Sequence, residues 1–201
     1  MGASERWCAA SGALPSARVL RVLAATLAIA AAVAGCGTGS IPPATSERGE
    51  RAALESYLQQ VEPIRLAVNR LLEGADPILT ADHRGRISAR QASLEIGGLE
   101  RRFAAYTVDV AAIQPLTAQL RFLHAAYAHT YILEDAYLSA LTNGLAARNL
   151  DRLPDTQSIQ RAAIIQWRVG LAVLARRAGL NLRGDLQAAG RGEIAPSPAG
   201  S

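Results

Sequence analysis

The chain has 201 residues, of which 50% are hydrophobic and 19% charged, with a formal net charge of +4. Its 21 basic residues are all arginine and are spread along the sequence, which argues against a nucleic-acid-binding protein. It has no Ser/His/Asp set, glycine-rich phosphate loop or paired carboxylates that would indicate an enzyme, so no catalytic residue is assigned.

The first 35 residues have the pattern of a signal peptide. Three arginines precede an apolar run at residues 22–35, and no acid occurs between Glu5 and Glu47. The run is about 14 residues long, shorter than the roughly 20 that a bilayer-spanning helix needs. It ends in the sequence Val33-Ala34-Gly35-Cys36.

These last four residues resemble the lipobox of bacterial lipoproteins. The resemblance implies cleavage between Gly35 and Cys36 and a covalent lipid on the Cys36 thiol, with no other cofactor. Two or three acyl chains, at about 0.8 kcal/mol per buried methylene, hold a protein stably on a membrane. The implied location is outside the cytoplasm, on the cell membrane or the outer membrane. Two alternatives fit the same residues: a plain secretory signal, and an uncleaved anchor helix extending back to Val19.

Cleavage at this site would change the composition of the remaining chain. It would leave about 166 residues, enough for one domain with a sizeable core, and a net charge of about +2. Cys8 would be removed and Cys36 lipidated, so no disulfide or cysteine metal site is expected. Residues 36–46 are expected to form the lipidated cysteine and a flexible Gly/Ser/Pro tether, residues 47–184 a helical domain, and residues 185–201 a disordered tail.

Four segments have apolar residues recurring every three or four positions, which predicts helices. They lie at about 47–73, 89–114, 116–147 and 156–178, separated by a loop at 74–87 and two shorter breaks. Ser88 begins a capping-box sequence before the second helix, and Pro115 breaks the chain before the third. The fold class predicted is all-α, with the helices in an antiparallel up-down four-helix bundle.

Two charged residues fall on the apolar faces of predicted helices. At 100° per residue, Glu134 lies within the apolar stripe of the third helix and Arg65 within that of the first. We expect a buried Arg65–Glu134 pair bordered by Tyr106, Tyr127 and Tyr131. Such a pair either fixes helix register or lines a ligand pocket. Alternatively, Arg65 reaches outward and leaves Glu134 protonated or bonded to tyrosines.

The fourth predicted helix has two apolar stripes where a surface helix needs one. The second stripe consists of Ile165, Val169 and Val173. Either it is covered by the 74–87 loop or the terminal segments, or it binds an envelope protein or a second copy of the chain.

The function predicted is that of a membrane-anchored extracytoplasmic lipoprotein, acting as a non-enzymatic binding or interaction module of the cell envelope. The alternative is a bundle that binds a small ligand or metal through the polar core around Glu134. No metal ligand is assigned, because no glutamate has a histidine three residues later, as bundle di-metal sites require.

Overall fold

A computed structural model describes residues 43–187, 194–196 and 198, which lie within one compact unit. The predicted signal segment, its cleavage site and Cys36 lie outside the described residues.

Helices account for nearly all of residues 43–187, and no strand occurs in that range, so the all-α prediction is confirmed. Five helices have nine residues or more, and a sixth has four. They are α1 (Pro43–Glu73), α2 (Ala75–His83), α3 (Ala89–Ala112), α4 (Ala118–Ala147), α5 (Gln157–Arg177) and α6 (Gly184–Gln187).

Side-chain caps set two of the helix starts. The Ser88 hydroxyl accepts a hydrogen bond from the Gln91 N–H at 3.1 Å, which begins α3. The Thr117 hydroxyl accepts one from the Leu120 N–H at 3.2 Å, which begins α4. Each cap satisfies an N–H that has no carbonyl partner in the first helical turn.

The segment predicted as the 74–87 loop contains α2. Ala75 and Leu79 of this helix are buried, four residues apart on one face, and α2 packs against α3 and α1. Pro77 lies in the first turn, where the lack of an N–H costs no helical hydrogen bond. Packing of this short apolar face makes the segment helical.

Parts of the predicted tether and of the predicted tail belong to the folded domain. The first helix begins at Pro43, inside the predicted tether, and proline is favoured at a first helical position. At the other end, three of the four residues of α6 fall in the predicted tail, and Leu186 and Ala195 are buried in the core. Leu186 and Ala195 are held in place because their side chains pack in the core and the Ala195 N–H donates to Glu134.

The long helices enclose one apolar core. The main packing is between α3 and α4, α5 lies against α4, and α1 contacts both α3 and α5. Helix α1 continues without a break through Pro63. The side chains of α4 that point into this core include the polar residues of the candidate site.

Candidate functional site

Arg65 is buried on α1 and pairs with acids near the surface. Its guanidinium Nη2 lies 2.7 Å from Asp185 Oδ2 and 3.7 Å from Glu62 Oε1. The hydrogen bond from Arg65 lowers the pKa of Asp185 below its ordinary value. Arg183 lies 3.4 Å from Asp185 and 3.8 Å from Glu62, completing the ionic group. Asp185 lies on α6 and Glu62 one turn before Arg65 on α1, so both are within reach of the guanidinium. They are its partners in place of the expected Glu134.

Glu134 is buried on α4 and accepts two hydrogen bonds. The Gln160 side-chain amide donates to one carboxyl oxygen and the Ala195 backbone N–H to the other, both at 2.8 Å. Burial raises the pKa of Glu134 to about 7, and the two donors oppose that rise. The carboxyl therefore joins α5 and the C-terminal segment to α4.

The expected tyrosines divide into two groups. Tyr127 and Tyr131 are buried, with their hydroxyls 3.1 Å apart, and they line the space beside Glu134. Tyr106 is only partly buried and packs on the core from α3. The space between Tyr127, Tyr131, Glu134 and their apolar neighbours has no room for a water molecule. The structure thus brings together three of the five cluster residues around a filled centre.

A second polar group crosses the core and was not expected from the sequence. The Trp167 indole N–H donates to the Tyr57 hydroxyl at 2.9 Å, and that hydroxyl lies 3.1 Å from His124 Nδ1. His124 Nε2 is 3.0 Å from the Val110 carbonyl. Since the carbonyl can only accept, Nε2 carries the proton and Nδ1 accepts from Tyr57. Burial lowers the pKa of His124 and raises that of Tyr57, so both groups stay neutral.

Some of these partners leave a signal in the sequence and others do not. Gln160 precedes the buried residues Ile164 and Trp167 by four and seven positions, which places it on their face of α5. The polar tips of Tyr57 and Trp167, both in apolar stripes, require partners when buried. Ala195 gives no such signal, because its backbone N–H forms the contact and any residue except proline has one.

The Ile165, Val169 and Val173 stripe lies on the outside of α5. These side chains are 44, 58 and 37% exposed, while Ile164 and Trp167 are buried. They stay exposed to this extent with α2 and the described part of the C-terminal segment in place. A groove of about 550 Å³ adjoins the stripe, lined by Val169 and by residues after the end of α5.

The described part of the chain has neither a metal-binding cluster nor a membrane-spanning helix. It contains no group of three or more His, Cys, Asp or Glu side chains placed to hold a metal ion. Its helices include none that is long and apolar enough to cross a membrane.

Comparison with protein-family models, with curated proteins and with solved structures gave no match to this chain.

Proposed function

We propose that this chain is an extracytoplasmic lipoprotein, anchored to a membrane through Cys36, whose helical domain is a non-enzymatic interaction module of the cell envelope. The observation that carries the proposal is the exposed stripe of Ile165, Val169 and Val173 on α5. Contiguous exposed apolar side chains usually mark a contact surface.

The architecture proposed for the domain is the antiparallel up-down four-helix bundle formed by α1, α3, α4 and α5. Its neighbour relations support this, since α1 contacts α3 and α5, and α4 lies between α3 and α5. Tyr57 meets His124, and Val68 lies near Glu134, so α1 and α4 run in the same direction. In an up-down bundle, these first and third long helices would be diagonal and parallel.

The filled centre supports an interaction module over a ligand pocket. A small-ligand site encloses roughly 300–1,000 Å³, whereas the space beside Glu134 does not admit a water molecule. The polar atoms of Glu134 bond Gln160 and Ala195, which leaves no oxygen of the carboxyl without a partner. The buried polar residues therefore stabilise the domain, and the exposed stripe is a surface available for binding a protein partner.

The charges on α5 indicate the chemistry of its partner. This helix carries four arginines and no acid, and Arg161 and Arg176 share the face of the stripe by helical spacing. If a second copy of the chain packed on this stripe through its own stripe, the arginines of one copy would lie near the arginines of the other. The surface is thus complementary to an envelope protein with an apolar patch bordered by acids.

Substitution of Val169 tests the surface. Wild-type protein, Val169→Glu and the control Leu94→Glu would each be purified from crosslinked envelopes, and the amount of crosslinked partner compared. Leu94, on α3, is about as exposed as Val169. A charge buried in the contact should weaken binding of the crosslinked partner at least about tenfold. Equal crosslinking by Val169→Glu and wild type would contradict the proposed surface, and a crosslinked dimer of this chain would assign it to self-association.

Intact mass spectrometry tests the anchor. A lipoprotein would have the mass of a chain beginning at Cys36 plus its acyl groups, and Cys36→Ser would lose them and leave the membrane fraction. A cleaved chain without lipid would indicate a plain secretory signal. A full-length mass would indicate an uncleaved anchor helix.

A further inference from the structure

Three exposed apolar side chains lie around the turn between α3 and α4, which we call the α3–α4 corner. They are Val108, Leu116 and Phe122, which are 69, 68 and 69% exposed, the highest values for large hydrophobic residues in the described chain. Val108 belongs to the last turns of α3, Leu116 to the turn, and Phe122 to the first turns of α4. Their exposure leaves a large apolar area in water.

The corner is held by specific hydrogen bonds. The Arg121 guanidinium donates to the carbonyls of Pro115 and Leu116, at 3.3 and 3.2 Å. The Thr117 hydroxyl caps α4 in the same turn. These bonds fix the backbone that carries Leu116, so its exposed position is part of the folded structure.

The charge of this region suits a lipid surface. Residues 110–133, which include Leu116 and Phe122, contain Arg121 and no aspartate or glutamate, and the exposed Asp109 lies beside Val108 at the α3 side of the corner. Exposed apolar side chains gain free energy when they enter the bilayer interface, and a nearby arginine is attracted to anionic headgroups.

The corner lies at the end of the domain where α1 begins. Tyr57 of α1 bonds His124 near the start of α4, and His124 bonds the Val110 carbonyl near the end of α3. From this level, α1 extends about 21 Å back to Pro43, and α4 about 12 Å back to its turn. The start of α1 therefore projects only about 10 Å beyond the corner.

The chain between Cys36 and α1 is short. The six residues 37–42 span at most about 21 Å when fully extended. A lipid on Cys36 would thus hold the corner within about 30 Å of the bilayer surface. At that distance the effective concentration of the surface is high, so a few apolar side chains suffice for contact.

We propose that the α3–α4 corner is a second membrane contact, in which Leu116 and Phe122 insert into the bilayer interface and Arg121 lies at the headgroups. This inference rests on the proposed anchor at Cys36. Together the two contacts would fix the orientation of the domain on the membrane, which a flexible tether alone leaves free.

Fluorescence of an added tryptophan tests the insertion. Protein expressed from the full sequence and purified from membranes would carry Leu116→Trp in a Trp7→Phe background, so that buried Trp167 is the sole other indole whether or not the chain is cleaved. It would be reconstituted into vesicles of phosphatidylethanolamine and phosphatidylglycerol with brominated acyl chains. Emission of the added indole should fall about twofold, because interfacial insertion brings it to the acyl boundary.

Matched variants separate insertion from unspecific quenching. Ile132 is also exposed but lies on α4 about 15 Å beyond Phe122, so the emission of Ile132→Trp should not fall. Adding Phe122→Glu to Leu116→Trp should restore the emission, whereas adding Ile132→Glu should not. Circular dichroism of each variant would verify that it is folded.

Mass spectrometry on the same samples distinguishes this inference from the anchor. Lipid on Cys36 with no difference between Leu116→Trp and Ile132→Trp would overturn the second contact and leave the proposed function intact. If Cys36 carries no lipid, the anchor proposal fails, and the unlipidated chain mixed with the same vesicles tests the corner by itself. Absence of quenching at position 116 there would overturn the insertion.

Discussion

The centre of the domain and its surface depart from the usual distribution of residues in opposite ways. Beside Glu134 the core contains a carboxyl, an amide and tyrosine hydroxyls, where apolar side chains are the rule. On α5 and at the α3–α4 corner, large apolar side chains are exposed. The two departures differ in their partners. The Glu134 carboxyl oxygens are both hydrogen-bonded, whereas the apolar side chains remain in contact with water.

This difference separates structural from functional residues. A buried polar group costs stability unless it is hydrogen-bonded, so its partners account for its presence. An exposed apolar group gains free energy only when something covers it. The buried cluster is therefore explained by the fold itself, while the stripe and the corner call for a partner or a membrane. Each of the following substitutions tests one side of this comparison.

The largest effect is expected at Glu134. Replacing it with leucine leaves the Ala195 N–H and one N–H of the Gln160 amide without an acceptor in a dry environment, while the amide keeps its bond to the Thr130 carbonyl. We expect the free energy of unfolding to fall by about 3 kcal/mol, measured by urea denaturation.

Glu134→Gln is the matched control. Its side-chain oxygen can still accept from Ala195, and Gln160 Oε1, which has no hydrogen-bond partner in the described structure, can accept from the new amide once the Gln160 amide turns over and gives up its bond to the Thr130 carbonyl. Equal losses in the leucine and glutamine variants would contradict the role of these hydrogen bonds.

The second effect is a dependence of stability on pH. Because folding raises the pKa of Glu134 from 4.5 to about 7, the folded state binds the proton more tightly than the unfolded state. The resulting stabilisation is complete below pH 4.5 and is lost as the pH rises through 7, by about 3 kcal/mol in total.

The free energy of unfolding of wild type and of Glu134→Gln, measured between pH 4.5 and 7.5, isolates the contribution of Glu134. The lowered pKa of His124 acts in the opposite direction, reducing stability as the pH falls below 6.5, but it is common to both proteins. The free energy of unfolding of wild type minus that of Glu134→Gln should decrease with rising pH. A difference independent of pH between 4.5 and 7.5 would exclude a raised pKa at Glu134.

A smaller effect is expected at Gly170, where α5 closely approaches α4. A β-carbon there would lie 2.5 Å from Leu123 Cδ2, so the leucine side chain must move. Overpacking of this kind costs about 1–3 kcal/mol, against a gain of about 1 kcal/mol in helix propensity. We expect Gly170→Ala to lose about 1 kcal/mol in thermal unfolding. Combined with Leu123→Ala, it should cost less than the sum of the two single changes.

The smallest effect on stability is expected at the exposed stripe. Val169→Glu should change the free energy of unfolding by no more than about 0.5 kcal/mol, because the side chain already contacts water. The same substitution is expected to weaken partner binding about tenfold, since it places a charge in the contact. A loss of several kcal/mol in urea denaturation would show that the stripe is part of the core.

Local patterns predicted much of the secondary structure. Spacings of three and four residues predicted the four long helices, and Ser88 was expected to begin one of them, as it does. These features depend on neighbours within a few positions, where hydrophobic periodicity and capping act. The same periodicity placed Arg65 and Glu134 on inward faces, and the structure buries both.

What the sequence determined by itself is the all-α class, the long helices and the inward direction of Arg65 and Glu134, since these follow from local periodicity. The tertiary structure decided which residues these two side chains pair with. Asp185, which pairs with Arg65, lies 120 positions from it, and Ala195 lies 61 positions from Glu134. Separations of this length carry no periodic signal, and α2 and α6 are short helices that pack on the longer helices beside them. Which apolar side chains remained exposed likewise depended on how all the helices packed.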